Sequence, residues 1–263
     1  TNGGIDGSCF KDINVFASGN PVTNNIITPS NPVGPFCNSG NPGIVTGNTP
    51  NVTLPTWSYQ WETSTDGGAS WTNWGNVSSA VLPYQFDPAN TTQTLLVRRV
   101  IFAGGCDNSS NILTYEIEQS LGNNTTAANQ TLCGTNTPIP LTGSIPTGGN
   151  SNYNYQWQSA ANLGGPYGNI LGANGQNYSP NAISSTTYYR RLVTGGVCPQ
   201  STSNVTTITV EPVITGNTIT GDQSFCGSGN PGVLTATGVL AGGNGSYTYQ
   251  WQQSTDGGST WAV

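Results

Sequence analysis

The triplet Tyr-Gln-Trp occurs three times at nearly one spacing, as Tyr59-Gln60-Trp61, Tyr155-Gln156-Trp157 and Tyr249-Gln250-Trp251. A cysteine precedes each tryptophan by 24, 24 and 25 residues: Cys37, Cys133 and Cys226. The cysteine-to-cysteine periods are 96 and 93 residues. Self-similarity at a fixed period marks an array of one domain type rather than a single large domain. The spacing divides the chain into residues 1–30, 31–120, 121–215 and 216–263. The first stretch reads as the last strand of a preceding domain plus its linker. The next two read as complete copies, and the last as the first half of a third.

Within a copy the pattern is that of short strands. Residues 153–158 alternate strictly, with Tyr153, Tyr155 and Trp157 on one face and Asn154, Gln156 and Gln158 on the other. That period of two predicts a half-buried strand. Trp57, Tyr59 and Trp61 repeat it against Ser58, Gln60 and Glu62, and Tyr247, Tyr249 and Trp251 follow in the third copy. Tyr59, Tyr155, Tyr249, Trp61, Trp157 and Trp251 are therefore the predicted core. A hairpin turn follows at Asp66-Gly67 and Asp256-Gly257. Leu163-Gly164-Gly165-Pro166 replaces it in the second copy. A long strand spans 94–102 or 186–194, a Gly-rich turn (the F–G turn of an immunoglobulin-like domain) carries Cys106 or Cys198, and a last strand spans 111–118 or 204–211. Seven or so strands per copy with no helical stretch predict an all-β fold: tandem immunoglobulin-like antiparallel β-sandwiches joined end to end.

Aligning the copies pairs Cys37 with Cys106 and Cys133 with Cys198, one disulfide per domain. Each would tie the start of a domain to its own F–G turn, as a staple at the rim. The loops closed would be 69 and 65 residues, each adding about 4 kcal/mol of loop entropy. Cys9 then belongs to the domain upstream, and Cys226 waits for a partner downstream. No cysteine pair forms CxxC and histidine is absent, so no metal centre is expected. Disulfides predict an oxidising compartment outside the cytoplasm.

Charge excludes several partners. Only 6% of residues are charged, against about 25% in an average domain, and Lys11 is the sole lysine. With a net charge of −6 the chain has no basic stripe for nucleic acid. No apolar run of 18 residues predicts membrane insertion. The absence of a signal peptide and of methionine suggests an internal piece of a longer secreted protein. Without histidine or paired carboxylates, no catalytic residues and no cofactor are expected.

Some side chains admit both a ligand and a packing role. Ser64 to Trp71 and Ser254 to Trp261 fit S-x-D-x-G-x-x-W. This resembles the Asp-box of sialidase-type propellers, where the motif stabilises a hairpin and is not catalytic. Arg98-Arg99 and Arg190-Arg191 sit at matching places in the long strand. Repetition in both copies favours a structural arginine, stacked on the tryptophan or paired with a carboxylate. Trp71, Trp74 and Tyr167 near the hairpin are the candidates for a sugar platform. Asp66, Asp87, Asp107, Asp222 and Asp256 are scattered singly and lack the clustered oxygens that calcium needs.

The shared pattern YQWQ-x-STDGG-x-x-W, TTYYRR-x-VT-GG-x-C and SN-x-x-TITV resembles the tandem Ig-like repeats of very large secreted surface proteins of Bacteroidota, gliding-motility adhesins among them. The resemblance implies an extracellular, cell-surface location and a stalk or adhesive fibre. It further implies contacts with surface glycans or other cell-surface polymers, and with neighbouring repeats or other copies of the chain. A polymerised extracellular filament and a carbohydrate-binding module of a glycan-active enzyme are the alternatives.

Overall fold

The computed structural model describes residues 22–41, 43–79, 85–86 and 91–263. Every regular element in those residues is a β-strand. The chain is all-β, as the alternating pattern predicts.

In the first copy, Trp57–Ser64 lies between Leu95–Ala103 and Thr72–Ser79, and Cys106–Ser109 and Leu113–Tyr115 pair with the other edge of Leu95–Ala103. A second sheet runs Ile27–Pro29, Val45–Gly47, Gln85–Phe86. Phe36–Cys37 leaves this sheet and pairs in parallel with Ile117–Glu118. Ile27–Pro29 pairing antiparallel with Val45–Gly47, and the following Phe36–Cys37 pairing parallel with the last strand Ile117–Glu118, is immunoglobulin-like connectivity. The core closes between the two sheets. Ile27 and Val45 come from one, and Tyr59, Trp61, Val97, Ile101 and Tyr115 from the other. Val22–Thr23 pairs with Asn51–Val52 and Val22 joins this core. Residues 22–30 are thus strand and core of the first copy, where the sequence suggested a linker. The period of two cannot show itself in segments of two or three residues.

The second copy repeats the arrangement. Its main sheet runs Gln130–Cys133, Thr206–Glu211, Thr187–Thr194, Asn154–Ala160, Gly168–Asn169. Gln130–Cys133 is parallel to its neighbour, as Phe36–Cys37 is in the first copy. Leu141, Trp157, Tyr189 and Ile208 form the core, and Tyr178 and Ile183 pack against it. The third copy, residues 216–263, contributes the short pair Ile219–Thr220 and Thr235–Ala236.

Two compact units form. The first runs through Asn124 and takes in Ile145–Asn154 and Val193–Ser201, two loops of the second sequence copy. The other comprises Thr125–Ser144, Tyr155–Leu192 and Thr202–Val263. The packing units are therefore offset from the sequence repeats: two loops of copy two complete the first unit.

Trp61 and Trp157 are 1% and 0% exposed, and Tyr59 is buried. Tyr155 is half-buried. Trp251 and Tyr249 depart from the prediction at 53% and 72% exposed. Trp61 and Trp157 are covered by the strands Leu95–Ala103 and Thr187–Thr194 and what packs on them, and the described residues hold no third counterpart of that strand.

The glutamine of the triplet also departs from alternation. Gln60 is buried between its two aromatic neighbours. The register against Thr72–Ser79 shifts between Tyr59 and Trp61, where a bulge interrupts the ladder. The Gln60 side-chain amide fills that gap and donates to the carbonyls of Trp61 (2.8 Å) and Trp74 (2.9 Å). Gln156 does the same for Trp157 (2.8 Å) and Ile170 (2.9 Å). Carbonyls without a ladder partner at a bulge need a donor. Glutamine supplies two N–H groups, which accounts for its place in the first two triplets.

Candidate functional site

The hairpin after the core strand is built by its own side chains. The Asp66 carboxylate accepts from the Ser64 hydroxyl (2.7 Å), the Ser70 amide (2.9 Å) and the Ser70 hydroxyl (2.5 Å). Ser64 Oγ accepts from the Gly68 amide, and Trp71 Nε1 donates back to the Gly68 carbonyl. Ser254, Asp256, Gly258, Thr260 and Trp261 reproduce these bonds in the third copy. Donation to the ionised form holds Asp66 well below the ordinary carboxylate range, the Ser70 hydroxyl contributing most. Asp256 is lowered in the same way, chiefly by Thr260. Both carboxylates are engaged within their own turns.

The aromatic residues considered for a sugar platform lie on this hairpin, and two of them carry an arginine. Arg98 Cζ sits 4.1 Å from the Trp71 ring centroid while its Nε donates to Glu62 at 2.7 Å. In the second copy Arg190 sits 4.1 Å from the Tyr167 ring, with its Nε donating to Gln158 at 2.7 Å. The cation on the ring face survives the loss of the Asp-Gly hairpin, and a neutral amide substitutes for the carboxylate. The guanidinium occupies the ring face that a pyranose would need. Trp74 is 42% exposed beside this pair.

The second arginine of each pair points inward. Arg99 is 2% exposed and donates through Nε to Asn25 Oδ1 (2.9 Å), and through Nη1 to the Asn48 carbonyl (3.0 Å). Arg191 is 0% exposed, donates to the carbonyls of Gln176 (2.8 Å) and Ser144 (2.9 Å), and lies 5.0 Å from the Tyr155 ring. Burial pushes both guanidinium pKa values down. An arginine nevertheless stays charged. Each copy therefore holds a buried cation on neutral acceptors, and each reserves a glycine for it. A β-carbon at Gly47 would run into the Arg99 guanidinium, and one at Gly143 into that of Arg191.

The cysteines correct the predicted pairing. Cys37 bonds Cys198, 161 residues away, with a Cα–Cα distance of 4.9 Å. Cys133 is free and exposed, and so is Cys226. Cys106 is also disulfide-bonded; Cys9 lies outside the described residues. The bonds expected between Cys37 and Cys106, and between Cys133 and Cys198, do not form. As predicted, one cysteine lies at the start of a domain and the other in the Gly-rich F–G turn; the structure adds that the first pairs beside the last strand. The turn, however, comes from the following copy. Residues 193–201 pack in the first unit, which brings Cys198 to Cys37.

Glu118 completes this staple. It sits beside Cys37 in the parallel pair and is buried, with Oε2 accepting from the Val197 amide at 2.7 Å. A β-carbon at Gly196 would collide with the Glu118 carboxylate, and the φ of Gly196 is +70°. The turn Gly195-Gly196-Val197-Cys198 thus needs glycine for its backbone and for the approach of the carboxylate. Nothing in the sequence drew attention to Glu118, although Glu211 repeats it seven residues after the matching Asn. Among the described residues, no group of three or more His, Cys, Asp or Glu lies close enough to hold a metal ion. No helix there is long and apolar enough to cross a membrane.

Residues 25–119, 122–212 and 215–263 each match one family, described as "Domain of unknown function (DUF8696)". The chain belongs to this family. The DUF8696 family model matches three times along it. No curated protein matches the chain. Among solved structures it is similar to the N-terminal four Ig domains of Dscam1 isoform 6.9, at 13% identity and a TM-score of 0.35 over 62% of this chain and 40% of that one. Sidekick-1 immunoglobulin domains 1–4 match at 12% and 0.36, over 74% and 51%. The Clostridium thermocellum CbhA fibronectin(III)-like modules match at 12% and 0.25, over 71% and 95%. The chain spans about half or less of the two Ig tandems. The immunoglobulin-like assignment rests on the strand order, not on these likenesses.

Proposed function

We propose that these DUF8696 copies are a non-catalytic stalk segment of a large secreted bacterial surface protein, one that carries force along its length. The Cys37–Cys198 bond supports this reading most directly, because it joins one sequence copy to the next. A bond within each copy would stabilise that copy alone. A bond to the following copy also shields the 161 residues it spans from extension when either copy loosens, which suits a tether. The polar side chains suited to ligand chemistry are committed inward: Arg99 and Arg191 to the core, Asp66 and Asp256 to their turns, Glu118 to the staple. The low charge suits a surface that stays soluble over a range of salt.

Labelling intact producing cells with antibody to residues 22–212, followed by electron microscopy, tests the proposal. Labelled threads one chain wide at the cell surface are expected. Label confined to lysed cells would refute it. So would regular many-chain filaments, which would mean that the copies are the building block of a polymer.

A further inference from the structure

The two full copies carry the same half-site, and only one of them is filled. In the first copy Cys37 pairs with Glu118 across the parallel strands. The Asn38 amide donates to the Glu118 carbonyl at 2.7 Å, and Asn38 has φ of 62°. In the second, Cys133 pairs with Glu211, the Gly134 amide donates to the Glu211 carbonyl at 2.7 Å, and Gly134 has φ of 63°. Strand register, hydrogen bond and left-handed residue coincide. Cys37 is bonded to Cys198 with Glu118 on the turn amide, whereas Cys133 is exposed and free.

We propose that Cys133 and Glu211 are a preformed acceptor for the F–G turn of the third copy, a Gly-Gly-x-Cys segment like Gly195 to Cys198. The turn's cysteine bonds Cys133, and the Glu211 carboxylate accepts from the turn amide. Residues 215–263, which match the family, do not include that turn. Formation of the bond is a two-electron oxidation. The Cys133 thiolate attacks a disulfide oxidant of the glutathione class and releases one thiolate. The incoming cysteine thiolate then attacks the mixed disulfide, forms the new S–S bond and releases the second. Two protein thiols are oxidised and one small disulfide is reduced to two thiols. The inference concerns bonding between copies and not cell-surface location, so it and the stalk reading fail separately.

The test extends the whole chain. Trp261 lies 10 residues after Trp251, as Tyr167 lies 10 after Trp157. Residues 170–212 appended after Val263 therefore complete the third copy and supply a turn cysteine. The extended chain is refolded in a glutathione redox buffer, digested unreduced and mapped by mass spectrometry. The appended cysteine should be linked to Cys133 in about tenfold or greater excess over Cys226, as expected for a thiol held at high effective concentration. With Cys133→Ser, the appended cysteine should become open to alkylation while the Cys37–Cys198 bond persists. A predominant bond to Cys226 would overturn the proposal. So would a statistical split between the two, which an unfolded third copy would also give, or an appended cysteine left free or glutathionylated.

Discussion

Replacing Arg191 by alanine should remove a large share of the stability of the second copy. The side chain is wholly buried and donates to two main-chain carbonyls, Gln176 and Ser144. Each carbonyl left without its donor costs about 1.5 kcal/mol. The lost stem and its contact with Tyr155 add about 1–2 kcal/mol. The expected loss is about 4–5 kcal/mol, against a typical domain stability of about 5–15 kcal/mol. Arg190→Ala is the internal control. That side chain is partly exposed, bonded to Gln158 and laid over Tyr167, so its loss should cost about 1 kcal/mol. Native-state hydrogen exchange on the strand Asn154–Ala160 reads the second copy alone, which matters where two units unfold separately. Arg191→Met tests the cause. If the carbonyls carry the effect, methionine restores packing and still loses about 3 kcal/mol. A loss below about 1 kcal/mol for Arg191→Ala, or equal losses for Arg190 and Arg191, would refute the reasoning.

Other predictions follow from the same contacts. Gly143→Ala places a β-carbon against the Arg191 guanidinium and 2.5 Å from the Gln176 carbonyl oxygen, and should cost about 1–3 kcal/mol by the same exchange measurement. Cys37→Ser opens a loop of 161 residues and should lower the stability of the first unit by up to about 5 kcal/mol in urea titration. Because the Asp66 pKa is lowered on folding, the hairpin's contribution is complete above about pH 4 and is lost as pH falls below that. Asp66→Asn should flatten this acid limb. Burial pushes the Tyr115 phenol up to about 12, so its contribution is intact below about pH 10 and is lost as pH rises towards 12. Tyr115→Phe should shift alkaline unfolding, followed by Trp fluorescence, to higher pH.

The sequence made the fold legible through period and spacing. Alternation identified the strand that buries Trp61 and Trp157, and the repeated Arg-Arg pairs indicated structural arginines. Gln60 was misread because alternation assumes an unbroken ladder, and the bulge that turns its side chain to the strand carbonyls leaves no trace in hydropathy. The cysteine partners were misassigned for a related reason. Aligned copies reveal which elements carry the cysteines but not which copy's turn arrives, since an offset of one repeat leaves the pattern unchanged. Glu118 and the Gly195-Gly196 turn were the available signals. A glutamate beside the first cysteine and a glycine pair beside the second are complementary parts of one contact. Trp71 and Tyr167 read as exposed platforms because a one-dimensional pattern does not show that Arg98 and Arg190 cross over to cover them.

Single-molecule extension tests most directly whether one copy is covalently tied to the next. The chain is pulled by its ends in a Cys106→Ser background, which leaves Cys37–Cys198 as the bond under study. At about 3.5 Å per residue, the 161 residues it spans hide about 56 nm of contour. The account predicts that adding Cys37→Ser, or a reducing agent, lengthens the fully extended chain by about 56 nm. If the bonds lay within each copy, Cys106→Ser would already have left Cys37 without a partner. Cys37→Ser would then add no length, and that result would contradict the account.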